Sequence, residues 1–160
     1  MTRSLFAFLS IAVMAFISAP AAKAQDLVDG SNVNAIMDIA RGYGSASLSK
    51  QKNGNPLING RINGIKYGIY FYSCKEGANC TAMQFYAGWK VGDAAEDAKM
   101  TKLNEWNRTK RWGRAYLDRV GDIAVEYDIN LAFGVTRANL DDSFDYWRLI
   151  SGEAQKFFRF

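Results

Sequence analysis

The spacing of hydrophobic residues changes along the chain, and each change predicts a different kind of element. Val33, Ile36, Met37 and Ala40 recur at helical spacing and predict a helix over residues 32–41. Apolar and polar positions then alternate, weakly at first, in segments separated by turn sequences such as Asn-Gly. This alternation predicts strands over residues 45–51, 57–62, 65–74 and 80–90.

The last two of these strands have a register that can be worked out from the sequence. Cys74 and Cys80 flank a loop of five residues. If the cysteines lie opposite each other, Ile69 faces Phe85, and the large apolar side chains of both strands share one face of the sheet. The other face then carries aromatic and polar side chains, namely Tyr70, Tyr72, Gln84 and Tyr86.

The second half of the chain predicts a helix, a hairpin and a closing helix. The first of these helices begins near residue 94 or 101 and ends near residue 110, and two strands follow, over residues 112–118 and 122–131. Residues 104–118 would then be the hinge that joins the two sets of strands. The segment that precedes the first helix, residues 25–30, is predicted to be a loose leader. We therefore predict an α+β fold and a single domain over residues 25–160.

The second hairpin also has a predicted register. If Leu117 faces Ile123 on the core side, Arg114 lies opposite Glu126 on the outer side. We expect this Arg–Glu pair to be exposed and to stabilise the fold by well under about 1 kcal/mol. The hydroxyl of Thr136 can cap the last helix.

The first 24 residues have the features of a cleaved secretory signal. Arg3 is followed by an apolar run over residues 5–20, and Ala22-Lys23-Ala24 is a small-x-small cleavage motif. A retained anchor is the competing interpretation, but the run is short for a membrane-spanning helix, which needs about 20 residues. We predict cleavage after Ala24, a periplasmic or secreted location, and no stable membrane anchor after cleavage.

Charge and cysteine content narrow the function further. The formal net charge is +4, and removal of the leader takes away two basic residues. A mature charge of about +2 does not favour a nucleic-acid partner. Cys74 and Cys80 are the two cysteines of the chain. Their spacing matches neither a C-x-x-C redox pair nor half of a zinc site, so an exported chain predicts a structural disulfide.

The residues of the common catalytic systems are missing. The chain contains no histidine, which excludes Ser-His-Asp and Cys-His nucleophile systems and most zinc sites. No phosphate-binding glycine loop is present. We therefore expect no enzyme activity, catalytic residue, metal or cofactor. Carboxylate chemistry stays open as an alternative, because acidic residues cluster at one hairpin and one helix start, namely Asp118, Asp122, Glu126, Asp128, Asp141, Asp142 and Asp145.

Two groups of residues are candidates for a binding surface. Tyr70, Tyr72 and Tyr86 form an exposed aromatic patch if no helix covers their face of the sheet, and a second core if a helix does. Around the hinge, an Asn–Trp–Asn surface with neighbouring basic residues could bind a peptide or a sugar. Alternatively, the asparagines bond free backbone at the helix end while the tryptophan packs on the sheet. The hinge candidates are Asn104, Trp106, Asn107, Arg108 and Arg111.

An ordered set of motifs resembles a known family. Asn-Glu-Trp-Asn-Arg-x-x-Arg starts at residue 104, Arg-Ala-Tyr-Leu-Asp at 114, Asp-Ile-Asn-Leu at 128, and Gly-Val-Thr-Arg-x-Asn-Leu at 134. Before them come Asn-Gly-Ile-Lys-Tyr-Gly-Ile-Tyr-Phe-Tyr-x-Cys from residue 63 and the Cys-x5-Cys loop. From about residue 31 onward, the chain resembles the YbjN family of bacterial sensory transduction regulators.

The resemblance implies a fold like that of type III secretion chaperones: a helix, a three-stranded meander, a helix, a β-hairpin and a C-terminal helix. It implies a regulatory role and no enzyme activity. Many members of the family have no obvious export signal, whereas this chain has one predicted over residues 1–24. The predicted signal argues against direct cytoplasmic signalling here.

Residues and resemblance together favour a non-enzymatic, exported protein-interaction domain with a regulatory or chaperone-like role. Its partner would be an unknown protein or a second copy of the chain. The alternative function is the binding of a small envelope ligand, a lipid or a glycan, through the aromatic residues and the basic residues Lys102, Arg108, Lys110, Arg111 and Arg114.

Overall fold

The computed structural model describes residues 26–159 of the chain, and the predicted signal over residues 1–24 lies outside them. It confirms the α+β class. The helices are α1 (Val33–Tyr43), α2 (Glu96–Thr109) and α3 (Arg137–Phe157). The strands are β1 (Leu27–Val28), β2 (Ser45–Lys50), β3 (Pro56–Ile62), β4 (Ile65–Tyr72), β5 (Ala82–Trp89), β6 (Arg114–Leu117), β7 (Ile123–Asn130) and β8 (Val135–Thr136).

Six of the strands form one antiparallel sheet in the order β2-β3-β4-β5-β7-β6. The predicted registers are confirmed in both hairpins, since Ile69 pairs with Phe85 and Leu117 pairs with Ile123. A shift of one residue would turn every apolar side chain of a strand toward solvent, and for this reason the alternation is enough to determine the pairing.

Four strands, β2 to β5, precede α2, whereas the family resemblance implied three. Each of them pairs with the next along the chain, so the meander is one strand longer than the resemblance implied and has the four strands that the spacing predicted. The additional edge strand is β2, the weakly alternating segment Ser45–Lys50.

The expectation of a loose leader over residues 25–30 is wrong for the part of it that the structure describes. Leu27 and Val28 pair with β8, and the side chain of Val28 is buried in the core. The carbonyl of Gly30 also accepts a hydrogen bond from the backbone N–H of Cys80, at 3.2 Å. A Cβ at residue 30 would lie 2.0 Å from the Cys80 carbonyl oxygen, so this approach requires glycine.

Helices α1 and α3 pack on one face of the sheet, and an aromatic cluster fills the space between. The Phe85 ring lies 4.9 Å from that of Phe144, measured between centroids, and 5.3 Å from that of Trp147, both on α3. The Tyr43 ring at the end of α1 stacks on Phe144 at 5.6 Å. The side chains of Tyr70, Tyr72 and Tyr86 alternate to the opposite face of the same strands.

Candidate interaction surface

The face of the sheet opposite α1 and α3 carries three tyrosines on adjacent strands. Tyr70 pairs with Gln84, Tyr72 with Ala82, and Tyr86 with Gly68. Tyr72 is 41% exposed, while Tyr70 and Tyr86 are half-buried. We call this surface, made by Tyr70, Tyr72, Gln84, Tyr86, Tyr116 and Glu126, the tyrosine face.

The ring of Tyr70 lies close to the sheet because Gly68 makes room for it. A Cβ on Gly68 would lie 2.9 Å from the ring of Tyr70, so this ring lies across the bare backbone of residue 68. The Tyr70 and Tyr86 rings meet edge to face, with their centroids 5.9 Å apart. Beside them lies a shallow hollow of about 320 Å³, bordered also by Asn59 and Lys66. A flat surface with a shallow hollow is suited to a protein partner more than to an enclosed small molecule.

A chain of hydrogen bonds orients the polar side chains at one end of this face. The Tyr72 hydroxyl donates to Gln84 Oε1 at 3.1 Å, and Gln84 Nε2 donates to Asp128 Oδ1 at 2.8 Å. Burial, followed by the nearby Glu126 carboxylate, raises the pKa of Tyr72. Tyr72 therefore stays a neutral hydrogen-bond donor at physiological pH.

Glu126 is the most buried charged group of the tyrosine face, although the sequence predicted an exposed Arg–Glu pair. The residue is only 7% exposed, while the Arg114 side chain is largely in solvent. Arg114 donates to Glu126 Oε2 from Nε at 3.0 Å and from Nη2 at 2.6 Å, and the Tyr116 hydroxyl donates to Oε1 at 2.5 Å. A carboxylate at this depth needs such partners, because an unpaired buried charge is costly.

The electrostatic effects of Glu126 extend to both of its partners. Its hydrogen bond and charge raise the pKa of Arg114. Burial, followed by the hydrogen bond to Glu126, raises the pKa of Tyr116. The cluster thus holds one negative charge within the sheet surface and one positive charge above it.

The hinge candidates lie elsewhere, on and just after α2. Trp106 is 1% exposed, and its indole N–H donates to the Gly113 carbonyl at 2.8 Å. Asn107 makes two bonds of 2.9 Å with Ala115: its Nδ2 donates to the carbonyl, and its Oδ1 accepts from the N–H. Trp106 is therefore buried, and the Asn107 side chain bonds the backbone of β6 although the residue is exposed. The second interpretation of the hinge placed such bonds at the helix end and gave them to both asparagines. Asn104, Arg108 and Arg111 are also exposed.

A second, smaller hollow of about 150 Å³ lies between the end of α2 and α3. Trp112, which is partly exposed, packs against Tyr146 with ring centroids 5.2 Å apart. The Arg111 guanidinium lies over the Trp112 ring at 5.4 Å, and Lys110 forms an ion pair with Glu153 at 3.0 Å. No residue of the tyrosine face lines this hollow, and of the hinge candidates Trp106 and Arg111 line it. The hollow and the tyrosine face are therefore separate.

Comparison with protein-family models identifies the chain. The model of the YbjN family, described as "Putative bacterial sensory transduction regulator", matches residues 32–160. This chain belongs to the YbjN family. No curated protein matches the chain.

The YbjN match begins at Asn32, the residue whose side chain caps α1, and it includes both hollows and the tyrosine face. The paired residues Leu27 and Val28 lie before it. Cys74 and Cys80 of this YbjN chain are joined by a disulfide.

Within residues 26–159 of the YbjN chain, no three Asp, Glu, Cys or His residues group in a way that could hold a metal ion. Over the same residues, every helix is too short or too polar to cross a bilayer.

The sequence placed Gln84 on the face of the tyrosines and Glu126 in an acidic cluster, but it named neither of them, nor Trp112, as a candidate for the binding surface. The register placed Glu126 beside Arg114, but alternation shows which face a side chain is on and not how deeply its neighbours bury it. Trp112 lies in a short turn between α2 and β6, where no periodic pattern applies.

Proposed function

We propose that this YbjN-family protein is a non-catalytic regulatory domain that acts in the bacterial envelope by binding another protein through the tyrosine face. One observation carries the proposal: helices α1 and α3 pack on one face of the sheet, while the other face presents partly exposed tyrosines, of which Tyr72 and Tyr116 are held by hydrogen bonds. Tyrosine is enriched in interfaces because it combines a large apolar ring with a polar group. Preorganised side chains also lose less conformational entropy when a partner binds.

Photo-crosslinking in the native bacterium tests this surface. A photoreactive phenylalanine analogue at Tyr72 is compared with the same analogue at Leu149, which is 47% exposed and lies on α3. We expect a discrete adduct from position 72 that mass spectrometry identifies as one protein, and no such adduct from position 149. Equal labelling from both positions, or none from position 72, would refute the tyrosine face as the binding surface.

The envelope location rests on the predicted signal over residues 1–24. The disulfide between Cys74 and Cys80 supports it, because such bonds persist in oxidising compartments. Cell fractionation with N-terminal sequencing tests it. We expect a mature chain that begins at Gln25 in the periplasm or the medium, and a cytoplasmic chain that retains Met1 would contradict the location.

The second candidate function is the binding of a small envelope ligand, a lipid or a glycan, and the hollow at Trp112 favours it. An exposed aromatic ring beside a guanidinium and an ammonium group can stack on a sugar or bind an acidic headgroup. Titration with anionic vesicles or with cell-wall glycan fragments, followed by tryptophan fluorescence, tests it. We expect a saturable change that the variant Trp112→Leu loses, and an unchanged spectrum would exclude this function.

A further inference from the structure

The two edges of the six-stranded sheet differ in how their backbone groups are satisfied. Edge strand β6 faces α2, whose side chains bond the outward groups of the β6 segment: Trp106 bonds the Gly113 carbonyl, and Asn107 bonds both backbone groups of Ala115. These bonds occupy the outward groups of Gly113 and Ala115, and α2 lies where a further strand would pair with β6. An edge covered in this way is protected against pairing with other chains.

The opposite edge, β2, has little of the usual protection. It is six residues long, contains no proline, and Lys50 is its one charged residue. Five of its six residues are exposed, and within residues 26–159 its neighbour in the sheet is β3 alone. An exposed, regular and almost uncharged edge is a template for pairing with another strand.

The hairpin between β2 and β3 shows which β2 residues direct their backbone groups outward. Gln51 N–H donates to the Asn55 carbonyl at 2.8 Å, so residues 51 and 55 form a hydrogen-bonded pair. Pairs alternate along an antiparallel ladder, so the next pair, Lys50 with Pro56, is not hydrogen-bonded. This agrees with the chemistry of Pro56, which has no N–H. The outward backbone groups of β2 therefore belong to Ala46, Leu48 and Lys50.

The geometry points to a second copy of the same chain as the occupant of this edge, with the two β2 strands antiparallel and Leu48 opposite Leu48. In this register Ala46 of each copy faces Lys50 of the other. Each pair exchanges two hydrogen bonds, so the three pairs contribute about six. The two Lys50 ammonium groups lie at opposite ends of the junction, so no like charges face each other.

The side chains of β2 fit the same register. Leu48 is 45% exposed, and it borders a hollow of about 410 Å³ that Pro56 and Gly77 also line. Leu48 of the second copy would meet this apolar wall in place of water. Because α2 covers β6, the six-stranded sheet offers one edge within residues 26–159, and pairing through it closes at two copies without forming a filament.

The dimer uses the β2 edge, which is distinct from the tyrosine face. Residues directly opposite in an antiparallel pair direct their side chains to the same side of the sheet. The twelve-stranded sheet would therefore present two tyrosine faces side by side. The dimer would add bivalent binding to the proposed function and does not depend on it.

Cysteine substitutions test the register directly. In a hydrogen-bonded antiparallel pair the Cα atoms are about 5.5 Å apart, within the range that a disulfide spans. We expect Leu48→Cys to give a disulfide-linked dimer under mild oxidation and Ala46→Cys to remain monomeric on a non-reducing gel. The double variant with Ala46→Cys and Lys50→Cys should link again. Linking through Ala46→Cys alone would refute the register.

Light scattering on the full mature chain tests the dimer itself. We expect a concentration-dependent dimer that Leu48→Lys abolishes, because two ammonium groups would then face each other on the two-fold axis. The matched control Leu149→Lys places the same charge at an equally exposed leucine on α3 and should leave the dimer intact. Circular dichroism checks that both variants fold. A native chain that stays monomeric at the highest concentration reached, even if it binds a foreign peptide at β2, would overturn the proposal.

Discussion

Asn107 offers a direct test of how α2 and the sheet are joined. The substitution Asn107→Ala removes both 2.9 Å bonds to Ala115 and leaves the backbone groups of that buried residue without their partner. A net contribution of about 1 kcal/mol for each bond gives a loss of about 2 kcal/mol. Asparagine is also a poorer helix former than alanine, so the substitution returns about 0.6 kcal/mol of helix propensity.

Asn104→Ala is a matched control on the same helix. Asn104 is exposed, and its side chain makes no hydrogen bond within residues 26–159. Its substitution gains the same helix propensity without losing a bond, so the propensity terms cancel when the two variants are compared. We expect urea unfolding, followed by tryptophan fluorescence, to place Asn107→Ala about 2 kcal/mol below Asn104→Ala in free energy of unfolding. A difference below about 0.5 kcal/mol would show that Asn107 does not hold the β6 edge.

Three further predictions concern stability. Glu126→Gln weakens charge-assisted bonds at a buried site, so it should lower the free energy of unfolding, measured in urea, by about 2 kcal/mol. The control Glu153→Gln changes an exposed ion pair and should cost well under about 1 kcal/mol. Equal losses in the two variants would contradict the role of burial. Burial raises the pKa of Tyr67 to about 12, so the folded state keeps this hydroxyl neutral, and ionisation of the unfolded chain lowers the stability as the pH rises from the unfolded pKa of about 10 toward 12. The Tyr67 hydroxyl is buried without a partner among residues 26–159, so Tyr67→Phe should stabilise the protein by about 1 kcal/mol at neutral pH. The same variant should lose less stability than the native chain between about pH 10 and pH 12. An unchanged loss over this pH range would show that Tyr67 does not cause it. Replacing Cys74 and Cys80 by alanine should cost roughly 2 kcal/mol by loop entropy, and thiol titration of the native protein without reductant should find no free thiol.

The elements that the sequence predicts well are those whose burial has a period. Ile69 and Phe85 could be paired in advance because every second residue of β4 and β5 faces the core, so only one register places the apolar side chains together. The helical spacing of Ile36, Met37 and Ala40 predicts α1 for the same reason.

Features that arise from distant neighbours could not be predicted in this way. The strand β1 has two residues, too few for a period, and its partner β8 lies near the other end of the chain. Trp106 is buried because Phe157 and Phe158 reach it from the end of α3, with ring centroids at 5.6 and 5.2 Å. The depth of Glu126 likewise depends on Tyr116 and Arg114, whose side chains cover it.

The pairing of β1 with β8 has a consequence for the order of folding. Leu27 and Val28 need partners more than 100 positions later, so β1 cannot dock until nearly the whole chain is available. Leu27 and Val28 lie close behind the predicted cleavage position after Ala24, and they would stay unpaired while the meander and its disulfide form. In a chain exported from its N-terminus, the segment that emerges first would thus be among the last to reach its place in the fold.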